Sequence, residues 1–166
     1  MSSLWTYFWP ILAAGLVVGG LAGTIALRRR PKRNAALGAG LAAAIALALL
    51  WHGPLGAGQR LAHGIDRNAS ATLDFYAMRA VSAHVRRGPL SRRIVLAGQA
   101  DDFQRTELAR TMATLPGVSG ASWSAGDLAL PLFAEAALAA LLGFLGGFLL
   151  AYLVELHRRY NAQWKW

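Results

Sequence analysis

The chain has few side chains able to do chemistry. It contains no cysteine, which excludes a disulfide framework, a thiolate nucleophile, a thiolate-held zinc and an iron–sulfur cluster. The histidines at 52, 63, 84 and 157 match no metal-ligand spacing. The serines of the polar middle region have no histidine and acid partners that sequence would bring beside them, and no glycine loop follows a strand to cradle a phosphate. Neither an enzyme nor a metal or cofactor site is expected. Glu135 is the exception among the acids, because it lies about one turn inside Pro131 at the start of an apolar run. No further acid or histidine lies deeper in any apolar run, so the expectation is a structural ion pair or hydrogen bond, met by water or by an arginine of the neighbouring domain. An ion-conducting role for Glu135 is the remote alternative.

The other charged groups are mostly cations, and their positions matter more than their number. A net charge of +9 and a pI near 11.3 would suggest nucleic acid in a soluble protein. Here Arg28, Arg29, Arg30, Lys32 and Arg33 surround Pro31 between two apolar runs, and Arg158 and Arg159 follow a third. Cations beside apolar spans set topology, so no nucleic-acid partner and no small-molecule substrate is expected. Glu155 stands at helical spacing from Arg158 and Arg159. Arg86, Arg87, Arg92 and Arg93 form a basic edge of the middle region. It reads as a solvated surface, with anionic headgroups or an acidic partner as the alternative. Asn68-Ala69-Ser70 fits a glycosylation acceptor, a tripeptide frequent by chance.

The elements that carry these groups follow from hydropathy. Hydrophobic residues make up 55% of the chain and charged ones 15%, mean hydropathy is +0.37, and the apolar residues fall in three blocks. The first, about Leu4 to Leu27, is roughly 24 residues or about 36 Å as a helix, enough to cross a bilayer. Met1-Ser2-Ser3 lacks the positive start of a signal peptide, and the cations follow the run, which puts the N-terminus outside. The second block, about Ala35 to Trp51, returns outward and ends at Trp51-His52-Gly53-Pro54. The third, about Leu128 to Leu153, goes back in. Gly15, Gly19 and Gly23 recur every four residues in the first span, and Gly143 and Gly147 in the third, ridges that let backbones approach closely and that would suit each other. Gly38, Ala42 and Ala46 repeat the spacing in the second. Trp164 and Trp166 give the cytoplasmic amphipathic tail bulk suited to the membrane surface or a protein partner.

Residues 55–127 are the only segment long enough for an extramembrane domain, outside by the same charge rule. Leu61, Ile65, Leu73, Tyr76, Val81 and Val85 approximate a helical stripe, predicting one long helix or two broken ones over Arg60 to Arg87. A short strand over Arg93 to Gly98, a helix over Asp101 to Leu115 capped by Asp101 or Asp102, and a strand over Val118 to Trp123 complete a small open α+β sandwich.

The run Ile94-x-Leu96-x-Gly98, then Asp101-Asp102, Arg105, Glu107 and Ala109, and finally Leu115-Pro116-Gly117-Val118, resembles the second half of a BON domain. BON domains are small α/β modules of bacterial periplasmic and envelope proteins. The resemblance covers about residues 92–123, in one copy, and the stretch from Leu73 to Arg93 departs from the pattern. It implies a noncatalytic binding module facing the periplasm. Separately, His52 stands four residues after Ala48, which resembles the Ala-x-x-x-His of bacterial light-harvesting polypeptides and implies a pigment ligand. Its position at the mouth of the span favours an interfacial or capping histidine.

The expected class is an α-helical membrane protein with three transmembrane helices and a small α+β extramembrane domain. Residues 1–54 form a two-span hairpin, 55–127 the domain, and 128–166 the third span and tail. The expected role is a structural or accessory subunit of a bacterial inner-membrane complex, with other membrane subunits and membrane lipids as partners. The alternatives are an envelope- or lipid-binding protein acting through its periplasmic domain and, more remotely, an ion-conducting subunit.

Overall fold

A computed structural model describes residues 3–124 and 129–163. Asp127 and Leu128, at the expected boundary of domain and third span, and Trp164 and Trp166 of the tail lie outside the described residues. The chain is mostly helical, with α1 (Ser3–Arg28), α2 (Arg33–His52), α3 (Ala57–Phe75), α4 (Asp102–Ala113) and α5 (Leu132–Gln163). Three short strands, β1 (Val81–Arg87), β2 (Leu90–Gly98) and β3 (Gly120–Ser122), form a single sheet among the described residues. A 3-10 turn at Arg30–Lys32 joins α1 to α2 at Pro31, whose ring suits the start of a helix. Three helical stretches, Leu4–Arg28, Arg33–His52 and Leu132–Ala162, are long and apolar enough to cross a membrane.

The chain divides into two compact units, one of Met1–Tyr7 with His52–Glu135 and one of Phe8–Trp51 with Ala136–Trp166. In the first, the sheet order is β1-β2-β3. β1 and β2 pair antiparallel, Val81 with Gly98 through Val85 with Ile94, and a bulge precedes the Arg87 to Leu90 pair at the hairpin. β2 and β3 run parallel, so a crossover must join them, and α4 is that crossover.

The first strand corrects the helical reading of Arg60 to Arg87. α3 stops at Phe75, and residues 81–87 are extended, with Val81, Ala83 and Val85 buried and Ser82 and His84 exposed. Val81 and Val85 are four apart, a spacing shared by a helical turn and by alternate positions of a strand, and the intervening Ala83 decides for the strand. The buried side of the sheet, with Ile94 and Leu96, packs on Leu61, Ile65, Ala69 and Leu73 of α3 and on Leu108 and Met112 of α4.

Local chemistry pins the ends of these elements. Asp101 is the N-cap of α4, its Oδ1 accepting from the Gln104 N–H at 2.7 Å while Gln104 Oε1 accepts from the Asp101 N–H at 3.2 Å. This reciprocal box contributes about 0.5–2 kcal/mol. Gly98 closes β2 at φ +132°, where a Cβ would run into the Ala80 carbonyl oxygen. Trp123, just past β3, donates from its indole to the Arg105 carbonyl at 2.9 Å and lies under the Arg105 guanidinium, 5.3 Å from ring centroid to Cζ, which fastens the last strand to α4.

In the second unit, Ala22, Ala44 and Phe144 form a buried cluster on which Val18, Leu37 and Leu41 pack. α5 continues as one helix of 32 residues, about 48 Å, beyond the roughly 30 Å of a hydrocarbon layer.

Candidate functional site

Three groups of residues could give this chain a function: the helix seam, the cations at the ends of the long helices, and the arginine edge of the small unit.

The seam joins α1 to α5. A side chain at Gly15 would meet the Ala140 carbonyl oxygen, and one at Gly19 the Phe144 carbonyl. At Gly23 it would press on Ala151 and Phe148, each 3.0 Å away. From the other side, Gly143 faces the Leu12 carbonyl and Gly147 the Leu16 carbonyl. The two ridges therefore lie against each other, backbone to backbone, the geometry that drives helix association where lipid is as apolar as leucine. On α2, Ala44 and Ala48 are buried, whereas Gly38, Ala42 and Ala46 are exposed, with nothing within 4 Å of where a side chain at Gly38 would begin.

One acid gathers the cations at the far end of this unit. Glu155 is 8% exposed and accepts two bonds from Arg158, both 3.0 Å, and one from Arg159 at 3.1 Å. Arg28, at the last residue of α1, approaches it at 3.9 Å. Helical spacing makes the first two partners readable in sequence, but the third is more than a hundred residues away and carries no local signal. Arg29, Lys32 and Arg33 are exposed, and the side chain of Arg30 is outside what is described.

The basic edge of the small unit is divided by the sheet. Arg92, on the parity of Ile94 and Leu96, gives Nε to Glu135 Oε2 at 2.6 Å, Nη2 to Oε1 at 3.2 Å and Nη1 to the Gly117 carbonyl at 3.3 Å. Both side chains are largely shielded, at 20% and 14% exposure. Glu135 thus carries its charge in a forked ion pair in the first turn of α5. Arg87 reaches Asp66 of α3 at 3.1 Å, and Asp66 also accepts the Val85 N–H at 2.7 Å. Arg86 and Arg93 are half-buried. His84, Arg86, Arg87 and Val95 line an open depression of about 690 Å³ beside the hairpin.

No protein family, curated protein or solved structure matches the chain.

His52 lies at the last residue of α2. Its Nδ1 is 2.7 Å from the Tyr7 hydroxyl, and the rings meet edge to face. A side chain at Gly58 would press on the same imidazole, so a glycine at that position makes room for it. The ring is fixed at Nδ1 by a neighbour that spacing could not name, which leaves Nε2 as the only nitrogen with which it could take a pigment. Among the described residues, no group of three or more histidines and acids is arranged to hold a metal ion.

Proposed function

We propose that this chain is a noncatalytic accessory subunit of a bacterial inner-membrane complex, spanning the membrane three times and displaying a BON-like interaction domain on the periplasmic side. The observation that carries this reading is the outward face of α2. The glycine ridges of α1 and α5 are occupied by each other, whereas Gly38, Ala42 and Ala46 form a second small-residue face that is exposed among the described residues. A membrane helix with such a face lets a partner's backbone come close. The domain reading has its own support. It draws on Gly98 at the end of β2 and on Asp101 and Asp102 at the start of α4, whereas β3 begins at Gly120 and not at the Gly117-Val118 of the pattern. The cations at Arg28 to Arg33 and at Arg158 and Arg159 support an inside turn and an inside C-terminus.

Extraction in a mild detergent followed by size analysis tests the proposal. The chain is expected in a particle much larger than one protomer, and Ala42→Leu with Ala46→Leu should release it while leaving it folded. A stable lone protomer carrying no other protein would overturn the reading.

A further inference from the structure

Two open depressions among the described residues of the helical unit meet at Val154. The first, about 330 Å³, is apolar and lies between α1 and α5, lined by Val17, Gly20, Leu21, Gly147, Leu150 and Val154 among others. Its one hydroxyl, on Thr24, is returned to the Gly20 carbonyl at 2.8 Å, so the slot offers no polar atom that needs a partner. The second cavity, about 410 Å³, shares Val154 with the first and continues over His157, Arg158 and Asn161. From Gly147 through Leu150 and Val154 to Arg158 and Asn161, the lining residues step by three or four, which keeps them on a single face of α5. The run from Gly147 to Asn161 is about 21 Å, the reach of one bilayer leaflet with its headgroup.

Polarity changes once along this furrow, from hydrocarbon to guanidinium. At the charged end Arg28, Arg158 and Arg159 face one carboxylate, Glu155, so three cations meet one anion, and Arg29, Lys32 and Arg33 stand exposed at the same end of α1.

We propose that this furrow holds one anionic phospholipid of the inner leaflet, an acyl chain lying on Gly20 and Gly147 and the phosphate at Arg158. The inference rests on the membrane reading above, since only an inserted chain with this orientation meets such a lipid. It would tie the α1 to α5 seam to membrane composition.

The full chain, purified in mild detergent, stripped of lipid and titrated with dioleoylphosphatidylglycerol or dioleoylphosphatidylcholine under native mass spectrometry, tests it. One phosphatidylglycerol per protomer is expected, preferred by roughly fivefold or more. Gly20→Leu puts a side chain into the slot, its Cβ in ordinary contact at 3.8 Å with the Gly147 carbonyl oxygen, and should remove this binding. Gly146→Leu, which points into open space, should leave it unchanged. If Gly20→Leu does not fold, Arg158→Gln with Arg159→Gln should abolish the preference for the anionic lipid. Equal binding of the two lipids, or unaltered binding in the slot-filling variant, overturns the proposal. So does a dimer that Gly20→Leu splits, which would mean that a second chain fills the furrow. Alkaline carbonate extraction separates the two failures: release from membranes defeats the membrane reading itself, whereas an integral chain without lipid defeats only this inference.

Discussion

Glu135 holds a charge at the mouth of an apolar helix because Arg92 forks onto both of its oxygens. Removing one partner leaves the other shielded and uncompensated, so Glu135→Gln and Arg92→Gln should each destabilise the chain by about 2–4 kcal/mol in denaturant or thermal unfolding. Arg92→Met with Glu135→Leu should recover most of that loss, giving a coupling well above 1 kcal/mol in a double-mutant cycle. Additive single losses would show that the pair is not a unit. Sequence brought Glu135 to attention and offered water or an arginine of the domain as its partner, but not which arginine. Strand parity makes that choice: Arg92 shares a side with Ile94 and Leu96, Arg93 shares the other with Val95, and parity is invisible until the register is known. The Tyr7 to His52 contact was unreadable for a similar reason, since nothing local links residues 45 apart.

At the level of elements, the first two apolar helices were legible to within about two residues because hydropathy over some twenty positions is a strong signal, whereas the third starts at Leu132 and runs to Ala162, past the expected Leu128 to Leu153, because helix continues into the polar tail. β1 was not, because two valines four apart suit a helix as well as a strand, and only pairing with β2 distinguishes them. The glycine ridges were legible as spacing. That Gly19 lies on Phe144 and Gly147 on Leu16 depends on how α1 and α5 rotate toward each other. This rotation gives a sharp contrast between equivalent substitutions. Gly19→Ala places a methyl on the Phe144 carbonyl and should lower the detergent-solubilised unfolding midpoint, corresponding to about 1–3 kcal/mol. Gly38→Ala meets nothing and should hold or raise it, since alanine is the better helix former by about 1 kcal/mol. Equal effects would mean that α1 and α5 do not meet backbone to backbone at Gly19.

For the molecule as a whole, the proposed orientation places the cations beside the apolar helices on the inside, and the absence of cysteine makes it easy to test. In intact spheroplasts a membrane-impermeant maleimide should label Ser70→Cys on α3 and spare Asn34→Cys and Ala162→Cys until the cells are lysed. The opposite pattern would reverse the chain in the membrane and turn the domain toward the cytoplasm. Whichever side it faces, the domain has limited ways to recruit. β1 is an outer strand of the sheet, the type of edge onto which a partner's backbone can be added. Asp66 takes the Val85 N–H and holds the Arg87 side chain beside it, so one backbone donor of that edge is already used by a side chain of the same chain. A partner strand added along β1 at Val85 would first have to displace the Asp66 carboxylate from that N–H.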